Sequence, residues 1–136
     1  MLNTAIMKFK EIKDKYGCLT PIESEIDIPF GIRRVYYISK VDSEVTRGYH
    51  SHRKLHQILI CVNGSVKIRL KNPCGEEIVE LNDSSKGLYI GPLIWREMFD
   101  FSDEAVLLVL ASEHYDVDDY IRNYDFYLDE ANNLFN

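Results

Sequence analysis

Cysteine is sparse in this chain, and the cysteines do not pair. Cys18, Cys61 and Cys74 are an odd number with no two close in sequence, which excludes both a disulfide framework and the paired motifs of structural zinc modules. Cys61 lies in the apolar run ILICV and is expected to pack as a small hydrophobe. Long apolar runs are missing too. The longest, AVLLVLA, falls far short of the roughly 18 residues of a membrane span, and MLNTAIMKFKEIKDK has no apolar signal-peptide centre. The expectation is a cytoplasmic protein with no membrane partner. Basic charge is also in deficit: a net charge of −6 offers no surface for a phosphate backbone, so nucleic acid is excluded as a partner. A few inward arginines can still hold a small anion. Repeats, low-complexity segments and linkers are absent, and 136 residues suit a single domain, 1–136, with one core and one site.

The sequence is instead full of short strand signals. Met7 to Glu23 alternates around a turn at 14–17 and predicts an N-terminal hairpin. In GIRRVYYIS, Ile32, Arg34, Tyr36 and Ile38 share one face while Arg33, Val35 and Tyr37 share the other, so one face can look into a cavity and the other into a subunit interface. VDSEVTRG reads as a loop, ILICV as a buried strand, and Asn63-Gly64 as a hairpin turn. SVKIRLKN alternates as a half-exposed strand should, EIVEL follows a turn at 73–76, Gly91-Pro92 makes a corner, and AVLLVLAS is a core strand. The tail VDDYIRNYDFYLDEANN changes to helical spacing, with Tyr120, Tyr124 and Tyr127 or Leu128 on one stripe and Asp116 as N-cap. About nine strands and one short terminal helix predict an antiparallel sandwich or jelly roll.

Three of the four histidines fall within RGYHSHRKLHQ, residues 47–57. In a strand, His50 and His52 lie on the same face and are aimed into something. The stretch resembles the first motif of the cupin superfamily, a Gly, then His-x-His, three or four residues, a Glu, six residues and a Gly. His50 and His52 match the pair, Gln57 stands at the Glu position and Gly64 closes the motif. Gly91-Pro92-Leu93-Ile94-Trp95-Arg96 is similar to the second motif, with Arg96 where a third histidine would stand. The cupin resemblance implies a metal held by three histidines and a carboxylate, but an amide and a guanidinium replace two of these ligands. Arginine stays protonated and has no lone pair to donate, so no metal and no cofactor are expected. His56 would complete a three-histidine set if the strand ran from 50 to 56 without a bulge; the plainer alternative is a side chain near the strand edge.

Within the cupins, RRVYYI, RGYHSHRKLHQ, NGSV, GLYIGPLIW and DYIRNYD, in this order, resemble the WxcM-like sugar 3,4-ketoisomerases that act on dTDP-4-keto-6-deoxyglucose. The resemblance covers nearly the whole chain. It implies an all-β cupin jelly roll, or double-stranded β-helix, with a short C-terminal helix. It also implies a homodimer that exchanges N-terminal strands, about residues 5–25, and a dTDP-linked keto sugar in each barrel. The product would be the 3-keto isomer, for dTDP-amino-sugar synthesis of the O-antigen or S-layer kind.

The residues suit that chemistry in their own right. Moving a carbonyl from C4 to C3 requires a base at the acidified C3 proton and an enediolate reprotonated at C4, without a redox cofactor. Imidazole is matched to such traffic near neutrality. His50, one residue beyond Arg47-Gly48, resembles the base of the related dTDP-sugar 3,5-epimerases and is assigned C3 abstraction. His52 is assigned substrate orientation or the oxygen protons, helped by Tyr36. Arg47 is expected on the diphosphate with Arg33 or Lys54 assisting, Gln57 as a donor to a sugar oxygen, and Trp95 as a pocket wall. Tyr16 and Arg96 depart from the family's commonest pattern, an arginine in the first turn and a histidine after the tryptophan. Arginine is too basic to donate a proton at C4, so the pair is expected to mark the gluco outcome. The competing readings are a 3,5-epimerase, a metal-binding cupin and a nucleotide-sugar binding module.

Overall fold

Among residues 1–135, which the computed structural model describes, alternation and apolar runs resolve into twelve strands and one helix. In chain order these are β1 (Thr4–Lys8), β2 (Ile12–Asp14), β3 (Gly17–Leu19), β4 (Arg34–Ser39), β5 (Arg47–His52), β6 (Gln57–Asn63), β7 (Val66–Asn72), β8 (Gly75–Leu81), β9 (Lys86–Ile90), β10 (Trp95–Phe99), β11 (Val106–Ala111), β12 (Tyr120–Ile121) and α1 (Tyr124–Phe135). Two antiparallel five-stranded sheets, ordered β1-β9-β6-β11-β4 and β12-β5-β10-β7-β8, face each other as a cupin jelly roll. The hairpin β2–β3 stands apart as a third, two-stranded sheet. The extra strands beyond the expected nine are mostly short pieces that alternation cannot register.

The central strands of the first sheet are buried on both faces, which is why they read as apolar runs. Leu59, Cys61, Leu107 and Val109 point into the space between the sheets, where they meet Ile68, Leu70 and Met98 of the second sheet. Ile58, Ile60 and Leu110 point outward and are covered by Phe9, Ile28 and Phe30. The second sheet is wet over much of its outer face, so β7 alternates Val66, Ile68 and Leu70 inward with Lys67, Arg69 and Lys71 outward. Helix α1 covers the rest. Its buried Tyr127 and Ala131 pack on Trp95 and Ile121, and the Tyr127 hydroxyl lies 2.9 Å from the carbonyl oxygens of Lys71 and Leu93.

Two local expectations are corrected. Asn63-Gly64 is not a hairpin, because β6 and β7 belong to opposite sheets. The turn crosses the core edge instead: Gly64 has φ 72°, and a Cβ there would collide with the Ser102 side chain. In the tail, Asp116 caps only a 3-10 turn, Val117–Asp119, and Tyr120 pairs with His52 as a strand. An open edge on β5 draws Tyr120-Ile121 into the sheet, and the helix starts after Asn123, whose Oδ1 accepts the Phe126 N–H at 3.0 Å.

Candidate active site

The histidine strand is bent by a β-bulge. Opposite β10, Arg47 pairs with Met98, Gly48 with Glu97 and His50 with Arg96, so Tyr49 has no partner. Gly48 at φ 98° and Tyr49 at φ 55° take up the extra residue. The consequence is geometric: Arg47 and His50, three apart, come to one face together with His52. A Cβ on Gly48 would stand 2.9 Å from the Arg96 carbonyl oxygen, so glycine alone fits.

At this end of the barrel the apolar filling gives way to polar side chains from five strands. The His50 and His52 rings meet edge to face at 4.9 Å between centroids, and Tyr120 lies against both, at 5.1 and 4.3 Å. Arg122 lies over the Tyr120 ring at 4.4 Å and Arg34 over Tyr36 at 4.5 Å. Arg96 is buried and donates from Nε and Nη2 to the Ile94 carbonyl and from Nη1 to Gln57 Oε1. Gln57 Nε2 in turn donates to the Tyr36 hydroxyl at 3.0 Å. Asp119 accepts the backbone N–H groups of Lys54 and Leu55 at 2.8 and 3.3 Å, and its Oδ2 lies 3.3 Å from His52 Nδ1, off the line of a hydrogen bond.

Among the described residues no carboxylate forms an ion pair with Arg96, whose charge is held by neutral oxygens with Asp119 acting on it through space. Burial and then that charge push the His50 imidazole down to about 4 and hold His52 lower still. Both are neutral at physiological pH. Burial brings Arg96 itself down to about 10, which leaves it charged, and raises the Tyr36 phenol, which leaves it protonated. The site thus offers neutral bases, a phenol and a fixed cation in one low-dielectric space.

Two cavities open on this cluster. One of about 580 Å³ is lined by Arg34, His52, Lys54, Tyr115, Asp119 and Tyr120. The other, about 360 Å³, is lined by Arg34, Tyr36, Arg47, His50, Tyr120 and Arg122. The expected residues His50, His52, Tyr36, Arg47, Lys54 and Arg96 are therefore brought together. Others are not. Arg33 points away, exposed and ion-paired with Glu113 at 3.3 Å, because it lies on the opposite strand face from Tyr36. Trp95 is core beneath α1, packed on Tyr124 and Tyr127 with its indole N–H on Glu97, and walls neither cavity. The Gln57 amide is buried and held inside the protein at both ends, Oε1 accepting from Arg96 and one Nε2–H going to Tyr36, rather than turned into a cavity. Tyr16, 84% exposed at the tip of the β2–β3 hairpin, is on the surface of its own chain rather than beside Arg96. His56 faces outward to Tyr89, 2.6 Å from its hydroxyl, because the 53–56 loop interrupts the strand. No three His, Cys, Asp or Glu side chains among the described residues converge as metal ligands. Arg34, Asp119, Tyr120 and Arg122 are site residues that the sequence reading missed. Only Arg34 carried a signal, since it shares a face with Tyr36.

A family model described as FdtA, WxcM-like, C-terminal, matches residues 2–132. The chain belongs to this WxcM-like family. A relative in it, the TDP-4-oxo-6-deoxy-alpha-D-glucose-3,4-oxoisomerase of Aneurinibacillus thermoaerophilus, is 45% identical over 124 residues, 91% of this chain and 89% of that one. Among solved structures, a histidine-to-asparagine mutant of the 3,4-ketoisomerase QdtA from Thermoanaerobacterium thermosaccharolyticum, in complex with TDP-4-keto-6-deoxyglucose, is 71% identical with a TM-score of 0.98, covering 99% of this chain and 98% of that one. The TDP-quinovose 3,4-ketoisomerase WlaRB of Campylobacter jejuni is 45% identical with a TM-score of 0.92, covering 95% and 99%. Against these WxcM-like proteins the likeness extends over nearly the whole chain.

Proposed function

We propose that the chain is a sugar 3,4-ketoisomerase converting TDP-4-keto-6-deoxyglucose to its 3-keto isomer. The observation that carries this reading is the pair of neutral imidazoles beside the buried, unpaired guanidinium of Arg96. His50 takes the C3 proton. The C3–H electrons move into a C3–C4 double bond and the carbonyl electrons onto the C4 oxygen, giving an enediolate. Fixed positive charge and the Tyr36 phenol stabilise that oxyanion. Return of a proton to C4, with the C3 hydroxyl proton passing to the C4 oxygen, completes the shift without any net oxidant. His52, neutral and with both ring nitrogens lacking a protein partner, carries the oxygen protons. Arg34, Arg47, Lys54 and Arg122 line the cavities as counter-charges for the diphosphate.

The reaction needs no metal, since a guanidinium in the fourth ligand position repels a divalent ion. Arg96 cannot protonate C4, which favours the 3-keto-6-deoxy-gluco product for a following aminotransfer step. The protein is a homodimer whose β2–β3 hairpin reaches a partner subunit. The direct test is incubation with TDP-4-keto-6-deoxyglucose after exhaustive chelation. The wild type should form the 3-keto isomer, and His50→Asn should be slower by about 10³-fold, the scale of a lost general base. A substrate returned unchanged by the wild type would overturn the reading.

A further inference from the structure

We infer that Gln57 is a positioning residue that commits the Tyr36 phenol to donate its proton toward the substrate, its own direction being set by Arg96. This rests on the ketoisomerase reading and adds a device to it. A guanidinium has donors and no acceptor, so whatever meets Arg96 Nη1 must be an oxygen. That fixes the Gln57 amide with Oε1 toward Arg96 and the NH2 group toward Tyr36. The Nε2···hydroxyl contact at 3.0 Å is therefore one in which the phenol accepts. No group among the described residues takes the phenol's proton, and Tyr36 lines the cavity that contains His50 and Arg47. A hydroxyl that accepts from behind is left to donate forward, into the space where an enediolate oxygen develops.

Burial makes the chain of donors rigid. Gln57 is 3% exposed and Arg96 1%, so neither amide end can exchange its partner for water. Arg96 is further held by two bonds to the Ile94 carbonyl, at 3.2 and 3.1 Å, which leaves Nη1 a fixed direction. A carboxylate in place of the amide has the same shape and the opposite polarity toward Tyr36. It would accept from Arg96 on one oxygen and from the phenol on the other, taking the proton away from the substrate.

The test is Gln57→Glu, alone and combined with Tyr36→Phe, assayed by turnover of TDP-4-keto-6-deoxyglucose with thermal melts as the folding control. Gln57→Glu is expected to lower kcat by about 100-fold, the size of a lost oxyanion donor, with KM within about threefold. Combined with Tyr36→Phe it should add no more than about a threefold loss to that of Tyr36→Phe alone, because Gln57 acts only through the phenol. A kcat at the wild-type level in Gln57→Glu, or losses that multiply in the double variant, would overturn the inference while leaving the isomerase reading intact. If the glutamate variant does not fold, Gln57→Met carries the same cycle: non-additivity with Tyr36→Phe supports the inference and multiplied losses contradict it. Wild-type protein inert toward the sugar removes both.

Discussion

At the scale of single residues, the buried guanidinium decides most of the site's electrostatics. Burial, and after it the Arg96 charge, keeps His50 and His52 neutral, and Arg96 also directs Gln57 through a hydrogen bond. The pH dependence follows with a definite sign. The working form of His50 is the neutral one, and burial with the nearby charge puts its protonation near 4 instead of 6.5. The acid limb of kcat/KM in the free enzyme is therefore expected close to pH 4, with activity still full at pH 6. Arg96→Gln should move that limb upward by part of the interval and not all of it, because burial is the larger cause and survives the substitution. An acid limb at 6.5 in the wild type would contradict the lowering of His50 by burial and the nearby charge. Some of this was legible in the sequence. The shared face of Arg34 and Tyr36 already argues for Arg34 over the expected Arg33, since a period of two cannot put both Arg33 and Tyr36 into one cavity. Asp119 and Tyr120 could not have been found this way, because they reach the site only through pairing with a strand nearly seventy residues earlier in the chain.

At the scale of elements, the bulge in β5 does the positioning. Without it, Arg47 would lie across the sheet from the histidines. Gly48→Ala is expected to cost about 1–3 kcal/mol, since the new methyl meets the Arg96 backbone and φ 98° is costly for alanine. It should also lower kcat by displacing His50. Gly75→Ala is the control: nothing lies within 4 Å of its Cβ position, and stability should hardly change. Equal unfolding midpoints in urea for the two variants would remove the bulge from the explanation. Elements were read well wherever one strand's burial is local: the alternation of VKIRLKN and the apolar run AVLLVLAS correspond to β7 and β11. They were read poorly wherever partner choice decides. Asn63-Gly64 has the composition of a hairpin turn, yet the Gly64–Ser102 approach and the two sheets' separate pairings send the chain across the barrel. Tyr120 fits a helical stripe equally well until the β5 edge claims it.

At the scale of the whole molecule, the β2–β3 hairpin is unaccounted for by its own subunit. Ile12 and Leu19 are 50% and 59% exposed, and a two-stranded hairpin with nothing against it is marginally stable in water. Val35 and Tyr37, 57% and 68% exposed, add an apolar face on the edge strand β4. The proposed partner subunit would cover both surfaces and would let Tyr16 approach a site that its own chain does not bring it to. Light scattering is expected to give twice the 15.9 kDa chain mass, and Ile12→Lys with Leu19→Lys to give a monomer with lowered activity. A wild-type monomer at micromolar concentration would rule out the exchange.

In the proposed reaction, neutral histidines move a proton between C3 and C4 under a fixed guanidinium charge. This is tested most directly by NMR of the product formed from TDP-4-keto-6-deoxyglucose in D2O. The predicted result is a 3-keto sugar of gluco configuration with deuterium at C4 and none at C5. A retained 4-keto group with deuterium at C3 and C5, the signature of an epimerase, would contradict it.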